Sequence, residues 1–193
     1  MKSILSGRAA LRWGGAVLTA GIALGFAATT ANASSGPVYS EGGYTVYEGT
    51  QAKWITAEYD GMNVAVPGGS GAVGTRIIQW YNNGGAEQKW YFDAVYDSSS
   101  GFEGYLIRNE NSGLCLSTDG VAGDRMTQEP CNPQLLPEWF DIVSSGTDNQ
   151  FYNRQTGLYM DVSGFSYAAG ANIDLWYSNG GDNQWFWITD TSS

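Results

Sequence analysis

The sequence predicts an all-β domain in which one module is repeated three times. The composition is the first observation: Tyr, Trp and Phe number 12, 8 and 7, Gly numbers 27 and His is absent. Aromatic and β-branched residues fit pleated strands, and frequent Gly, Asn and Asp residues fit short turns. The second observation is that no stretch after residue 33 keeps an apolar stripe at helical spacing beyond two turns. The third is an internal repeat.

The first 33 residues have the form of a secretory signal peptide. Lys2, Arg8 and Arg12 precede an apolar run over residues 14–28, and Ala31-Asn32-Ala33 has the small-x-small form of a cleavage site. The run is rich in Ala and Gly, short for a bilayer span, and followed by no stop-transfer charges. The sequence therefore predicts an exported, extracellular protein without membrane insertion, with residues 34–50 as a leader of unknown role.

The charge argues against two classes of partner. The predicted signal carries three of the nine basic residues and none of the nineteen acidic ones, so its removal takes the net charge from −10 to −13. An acidic surface repels phosphate backbones and anionic lipids, because binding to either depends on basic side chains. We therefore expect no nucleic acid among the partners.

Three sequence blocks recur in the same order. The second and third blocks are spaced 49 and 47 residues apart. The copies of the first block are Gly61–Val66, Gly113–Thr118 and Gly157–Val162. Those of the second are Gly74–Trp80, Gly123–Glu129 and Gly170–Trp176, and those of the third are Gln88–Trp90, Pro137–Trp139 and Gln184–Phe186.

The sequence of each copy predicts four short strands. A unit of that size cannot bury its apolar face alone. Three units closing around a pseudo-threefold axis make a β-trefoil, whereas a propeller needs at least four blades. We assign the domain to residues 51–190, with repeats at about 52–97, 98–145 and 146–190. Trp90, Trp139 and Phe186 are predicted to form the core layer around the axis.

The three blocks resemble those of the ricin-type β-trefoil lectins, a family of carbohydrate-binding modules. The resemblance lies in the Gly-x-x-apolar-Asp-Val block, the apolar-x-Leu-Trp strand and the Gln-x-Trp ending, and it covers about residues 51–190. Only Gln88-Lys89-Trp90 is an intact Gln-x-Trp element. The resemblance implies a protein that is not an enzyme and that binds a galactose-configured sugar or a polysaccharide. It implies no cofactor and no metal.

The resemblance places the best sugar pocket in the third repeat. A carboxylate accepts hydrogen bonds from two ring hydroxyls, an amide supplements it, and an aromatic ring covers the apolar side of the sugar. By position, Asp161 is the carboxylate, Trp176 the aromatic ring, Asn183 the amide and Gln184 its supporting residue.

The other two repeats have diverged from this pattern. The first repeat keeps Trp80 and Gln88 but has Ala65 and Glu87 in place of the Asp and the Asn, so it is at most a weak second site. The second repeat has Ser117, Glu129 and Leu136 at the three positions and has lost its site. Its Cys115 and Cys131 stand where ricin-like modules form a disulfide within a repeat, as two cysteines in an exported protein would.

Two other functions compete with sugar binding. β-Trefoils also serve as protease inhibitors and protein-interaction modules, and the Pro-flanked segment Asn132–Pro137 is the best inhibitory loop here. A glycoside hydrolase is less favoured than an inhibitor or an interaction module, because no spacing singles out a pair of carboxylates among the nineteen acidic residues. The absence of His excludes Ser-His-Asp, Cys-His and His-metal centres. Oligomeric state and biological target are left open.

Overall fold

The computed structural model describes residues 38–191, and the predicted signal peptide lies outside them. Within this range the regular elements are fourteen β-strands and five one-turn 3₁₀ segments, which confirms the all-β prediction. The strands are β1 Val38–Glu41, β2 Tyr44–Tyr47, β3 Lys53–Ala57, β4 Asn63–Ala65, β5 Ile78–Trp80, β6 Lys89–Asp97, β7 Gly101–Asn109, β8 Cys115–Ser117, β9 Thr127–Glu129, β10 Phe140–Ser145, β11 Asp148–Asn153, β12 Leu158–Val162, β13 Ile173–Trp176 and β14 Phe186–Asp190. The 3₁₀ segments are Pro67–Gly69, Ala86–Gln88, Leu136–Glu138, Ser163–Phe165 and Asp182–Gln184.

Six of the strands close into a barrel. Strand β3 pairs with β14, β14 with β11, β11 with β10, β10 with β7, β7 with β6, and β6 again with β3, all antiparallel. Each repeat contributes its first and fourth strand to this ring. The fold is a β-trefoil, as predicted.

The second and third strands of each repeat form a hairpin outside the ring. These hairpins are β4–β5, β8–β9 and β12–β13. Single β-bridges join them pairwise: Arg76 to Thr127, Ile78 to Asn172, and Arg125 to Asp174. The three hairpins therefore meet as a cap, which brings residues of neighbouring repeats into contact.

The axial core corrects one sequence prediction. Trp90 and Phe186 are fully buried in the main cluster, as expected, but their counterpart in the second repeat is Phe140 and not Trp139. The 3₁₀ segments show why: Gln88, Glu138 and Gln184 each end one, and the core aromatic follows two residues later. The prediction misaligned the second repeat by one residue.

Trp139 instead belongs to a second cluster that the leader helps to build. Strands β1 and β2 form a hairpin, and β2 pairs with β6 over Tyr44–Tyr47. Val46 of this hairpin packs with Val95, Leu106, Cys115 and Trp139, all buried. The ring of Tyr44 meets Trp139 edge to face, with centroids 5.1 Å apart. The described part of the leader, from Val38 onward, is therefore an integral part of the folded domain.

Cys115 and Cys131 form the disulfide that the resemblance implies, with their Cα atoms 4.9 Å apart. The bond joins buried β8 to the chain that leaves β9, next to the second cluster. Closing a loop with a sequence separation of 16 residues stabilises the fold by about 3 kcal/mol in the chain-entropy model.

Over residues 38–191, no helix is both long and apolar enough to cross a bilayer.

Candidate functional site

The candidate site lies on the outer face of the β12–β13 hairpin in the third repeat. Met160 and Leu175 point into the core, so the alternate positions face outward. Asp161 pairs directly with Asp174 across the hairpin, and Tyr159 pairs with Trp176. Strand alternation and register together place two carboxylates beside an exposed aromatic ring.

Three amide side chains converge on the carboxylate of Asp161. The Nδ2 of Asn183 donates to Oδ1 at 2.8 Å, while Oδ2 accepts from Nε2 of Gln184 at 2.9 Å and from Nδ2 of Asn179 at 3.3 Å. The 3₁₀ segment Asp182–Gln184 presents two of these amides. The structure thus brings together Asp161, Asn183 and Gln184, and it holds the carboxylate in one orientation.

Burial sets the electrostatics of the two carboxylates. Only 3% of Asp161 is exposed; burial raises the pKa of its carboxyl to about 6, the Gln184 hydrogen bond lowers it, and the charge of Asp174 raises it further. Burial also raises the pKa of Asp174, partly offset by Ser163. The Oδ1 atom of Asp174 is buried without a hydrogen-bond partner among the described residues, so its capacity to accept a hydrogen bond is unused.

Trp176 forms the aromatic side of the site. The side chain is 42% exposed and lies on Gly123 of the second repeat, where a Cβ would come within 2.9 Å of the ring. The neighbouring Tyr177 is 64% exposed, and the two ring centroids are 5.9 Å apart. The close fit on Gly123 fixes the indole in place while part of its surface remains open to solvent.

The turn that follows β12 forms the rim. Phe165 adopts a positive φ of 54°, which L-residues rarely do, and its ring lies over Gly181. The corresponding residue of the first repeat is Gly69, which has φ 64° without this penalty. A strained aromatic residue beside the carboxylate is the kind of outlier that clusters at functional sites.

The first repeat holds this rim in position. The buried side chain of Gln79 donates to the carbonyl oxygens of Ser166 at 2.7 Å and Ala168 at 3.2 Å. The hydroxyl of Tyr59 donates to the Ser166 carbonyl as well. The third-repeat site is therefore completed by residues that lie about a hundred positions earlier in the chain.

With this geometry in place, comparison with known families is decisive. The family model of the ricin-type β-trefoil lectin domain-like proteins matches residues 43–129 and, in a second match, 86–176. The chain belongs to this family. The sequence of this chain matches no curated protein.

Solved structures share the fold. A designed threefold-symmetric protein, ThreeFoil, is 24% identical with a TM-score of 0.65 and covers 72% of this chain and 98% of its own. The C-half of the earthworm R-type lectin, solved with GalNAc, is 22% identical with a TM-score of 0.57 over 72% of this chain and 98% of its own. The Macrolepiota procera ricin B-like lectin, solved with lactose, is 20% identical with a TM-score of 0.60 over 74% and 96%.

The first repeat of the ricin-type domain carries a different arrangement. Trp80 is 41% exposed and lies against Gly170, as Trp176 lies against Gly123. The carboxylate of Glu87 bonds to Asn83 at 2.7 Å and folds over Gly85. The Nε2 of Gln88 donates to the Tyr81 carbonyl at 2.7 Å, and its Oε1 accepts from the backbone N–H of Asn83 at 3.0 Å. The residues of the predicted weak second site lie close together. However, Ala65 leaves no charged group at the buried position that Asp161 has in the third repeat.

The second repeat differs at every site position. Ser117 replaces the carboxylate and Glu129 the aromatic ring, and the corrected alignment puts Pro137, not Leu136, at the amide position. Its turn residues are engaged in the disulfide and in a hydrogen bond from the Asn132 amide to Glu138 at 2.8 Å.

Besides the first-repeat residues that support the rim, sequence reasoning missed two site residues within the third repeat itself. Asn179 lies in an Asn- and Gly-rich turn, where nothing in the sequence distinguishes a functional amide from a turn residue. Asp174 occupies a position that the repeat pattern leaves free. Its alternation with Trp176 and its register with Asp161 were the signals that would have found it.

The Gln79 contact predicts a measurable effect on the rim. We expect Gln79→Leu to increase amide hydrogen exchange over residues 163–170 about tenfold, because the Ser166 and Ala168 carbonyls lose the side-chain donor that ties the rim to the first repeat. Leu is the natural residue at the corresponding position of the third repeat, Leu175. Hydrogen-exchange mass spectrometry measures the change.

The matched control is Gln128→Leu, because Gln128 holds the turn of the first repeat through the Ser70 and Ala72 carbonyls, at 2.8 and 2.9 Å. It should affect residues 67–74 and leave residues 163–170 unchanged. Equal protection of residues 163–170 in wild type and Gln79→Leu would contradict the assignment.

Proposed function

We propose that this protein is a secreted, non-catalytic lectin that binds galactose-configured sugars through the third repeat. The observation that supports this most directly is the Asp161 carboxylate, fixed by three amides on the same hairpin as the half-exposed Trp176. Lactose and GalNAc accompany two of the structural relatives, which supports the sugar class. The predicted signal peptide supports export.

The geometry supplies complementary groups for a pyranose. Each carboxylate oxygen accepts about two hydrogen bonds, so Asp161 Oδ1, with one donor, has capacity for a ring hydroxyl. In a galactose-configured sugar the axial and equatorial neighbouring hydroxyls lie on one edge, and the C–H face of the same ring can stack on Trp176.

The same geometry argues for binding and not for hydrolysis. A glycosidase places its two carboxylates on opposite sides of the scissile bond. Asp161 and Asp174 instead lie side by side on one face of a hairpin. A relative with an enzymatic name, the exo-β-1,3-galactanase of Clostridium thermocellum, matches this chain over only 30% of its own length, at 24% identity and a TM-score of 0.66 over 73% of this chain.

Lactose-resin retention tests the proposal. We expect the domain spanning residues 34–193 to be retained on immobilised lactose and eluted by free galactose, with a dissociation constant near millimolar, as is usual for a small shallow site. Trp176→Ala should weaken binding at least tenfold by removing the stacking surface. Asp161→Asn should do the same, since it replaces a charged acceptor with an amide while keeping its size.

Trp80→Ala is the matched control, because Trp80 has the same place in the first repeat and a similar exposure. It should bind lactose within twofold of wild type, and near-ultraviolet circular dichroism should show all three variants folded. Retention unchanged in both Trp176→Ala and Asp161→Asn would overturn the assignment of the third repeat. Failure of wild type to bind any galactoside, together with inhibition of serine proteases through the loop 132–137, would favour the alternative function.

A further inference from the structure

A second aromatic surface lies outside the three repeat sites, on the outer face of the sheet formed by β2, β6 and β7. The rings of Tyr47, Tyr96 and Phe102 follow one another edge to face, with successive centroids 5.4 Å apart. The three residues are 44%, 39% and 38% exposed. The inner face of the same strands is already filled by Val46 and Val95, so burial in the core does not require these rings.

Two of these rings, Tyr47 and Tyr96, border an open cleft of about 450 Å³, a volume within the range of small-ligand sites. The cleft is lined by Thr45, Tyr47, Ala94, Tyr96, Asp97 and Ser98. Ala94 pairs with Tyr47 and Thr45 pairs with Tyr96, so two small side chains form the floor between two tyrosines. A groove in this sheet exists because the residue opposite Tyr47 has only a methyl group.

Polar groups stand at one end of the cleft. Asp97 accepts hydrogen bonds from the backbone amides of Ser99 at 2.7 Å and Ser100 at 3.1 Å, and from both hydroxyls, all at Oδ1. These bonds lower the pKa of Asp97 to about 2, so the carboxylate is charged at neutral pH. Its Oδ2 atom makes none of these bonds and remains an acceptor.

The chemistry of the lining identifies the class of ligand. Tyrosine rings suit the C–H faces of pyranose rings, and a fixed carboxylate with neighbouring hydroxyls suits their OH groups. The strong negative charge of the domain disfavours a polyanionic ligand. A protein partner would need about 800 Å² of contact surface, far more than three half-exposed rings supply.

We propose that this cleft is an additional binding site for a neutral polysaccharide, which we name the leader cleft because Thr45 and Tyr47 belong to the leader hairpin. It rests on the proposed function only in assuming that the protein meets glycans. A second site on the same chain increases retention on a polymer by adding an intramolecular binding step. The leader hairpin then has two roles, covering Trp139 with one face and building the cleft with the other.

Affinity electrophoresis tests the leader cleft in native gels that contain xylan, mannan or mixed-linkage glucan, which are not built on galactose and so do not report on the third repeat. We expect wild type to be retarded by at least one polymer. The double variant Tyr47→Thr/Tyr96→Thr should lose at least tenfold in apparent affinity for that polymer, while lactose binding by titration calorimetry stays within twofold. Threonine keeps the strand propensity of both positions.

Two further variants keep the result interpretable. Ala94→Phe fills the floor of the cleft without removing an aromatic ring and should give the same loss of retardation. Tyr47→Phe/Tyr96→Phe keeps the rings and should stay within threefold of wild type. Circular dichroism confirms that each variant is folded.

Three results would overturn the leader cleft. The first is that no gel retards the wild-type protein, and the second is that the Thr double variant and Ala94→Phe are both retarded as strongly as wild type. The third is that a variant loses lactose binding together with its retardation. Failure of the third-repeat proposal is a separate result. It would show as lactose binding that is absent in wild type or unaffected by Trp176→Ala, whatever the gels show.

Discussion

Replacing Trp90 with Ala should lower the free energy of unfolding by about 4 kcal/mol, the middle of the range for deleting a buried aromatic side chain. Trp90 is fully buried in the axial core. Its indole N–H donates to the Val64 carbonyl at 2.9 Å, and both groups are buried. The variant therefore leaves a cavity and also an unpaired carbonyl.

Such a loss is a large share of the 5–15 kcal/mol that stabilises a typical domain. Urea denaturation followed by tryptophan fluorescence and far-ultraviolet circular dichroism measures it. Trp187→Ala is the control, since Trp187 is 37% exposed and its N–H bonds to a surface carboxylate, Asp148; we expect less than about 1 kcal/mol there. Equal costs for the two tryptophans would contradict the axial role of Trp90.

Replacing Glu138 with Gln should stabilise the protein by about 2 kcal/mol at pH 9 and have little effect at pH 4. Glu138 occupies the position at which the other repeats have Gln88 and Gln184. In those repeats the side-chain oxygen accepts from the amide of Asn83 or Asn179, and the side-chain nitrogen donates to the carbonyl of Tyr81 or Tyr177. Glu138 reproduces the first bond through Oε2, from Asn132, while its buried Oε1 has no partner within residues 38–191.

The pH dependence follows from the raised pKa. Burial raises the pKa of Glu138 to about 7; the Asn132 amide bond lowers it and the charge of Glu129 raises it. The protonated form is therefore favoured by folding, and this contribution is present below the ordinary pKa of about 4.3 and is lost as the pH rises through about 7. Gln, which never ionises, lacks that loss and can donate to the carbonyl of the corresponding residue, Pro130.

Thermal or urea unfolding of wild type and Glu138→Gln between pH 4 and pH 9 checks this prediction. The difference between the two curves isolates Glu138, because the raised pKa values of Asp161 and Asp174 are common to both proteins. A difference that stays constant across the range would show that the carboxyl does not titrate as argued.

The core and the repeat were predictable because they depend on apolar residues at regular spacing. Ile77, Met126 and Ile173, for example, occur at matching places in the three blocks and are all fully buried. The one-residue misalignment at Trp139 arose where that regularity fails. Pro137 and Glu138 replace the motif there, and the conspicuous Trp stands one position before the core residue Phe140.

The site was predictable only for residues that carry the family motif. Asp161, Trp176 and Gln184 belong to the blocks and Asn183 directly precedes the third block, and the structure places the carboxylate and its amides in direct contact. The contributions of Gln79 and Tyr59 were not predictable, because they depend on how the third repeat packs against the first. No local pattern records a contact between segments so far apart in sequence.

The support of the third-repeat rim by Gln79 and Tyr59, together with the seating of Trp176 on Gly123, limits how the molecule can be divided. The unit that repeats in the sequence is not the unit that could be transplanted with its pocket intact. A fragment of one repeat would lack the donors that shape its rim and the glycine on which its indole rests. Duplication of such a module therefore produces a working pocket only once the ring of three has closed, and a substitution in one repeat can alter the pocket of the next.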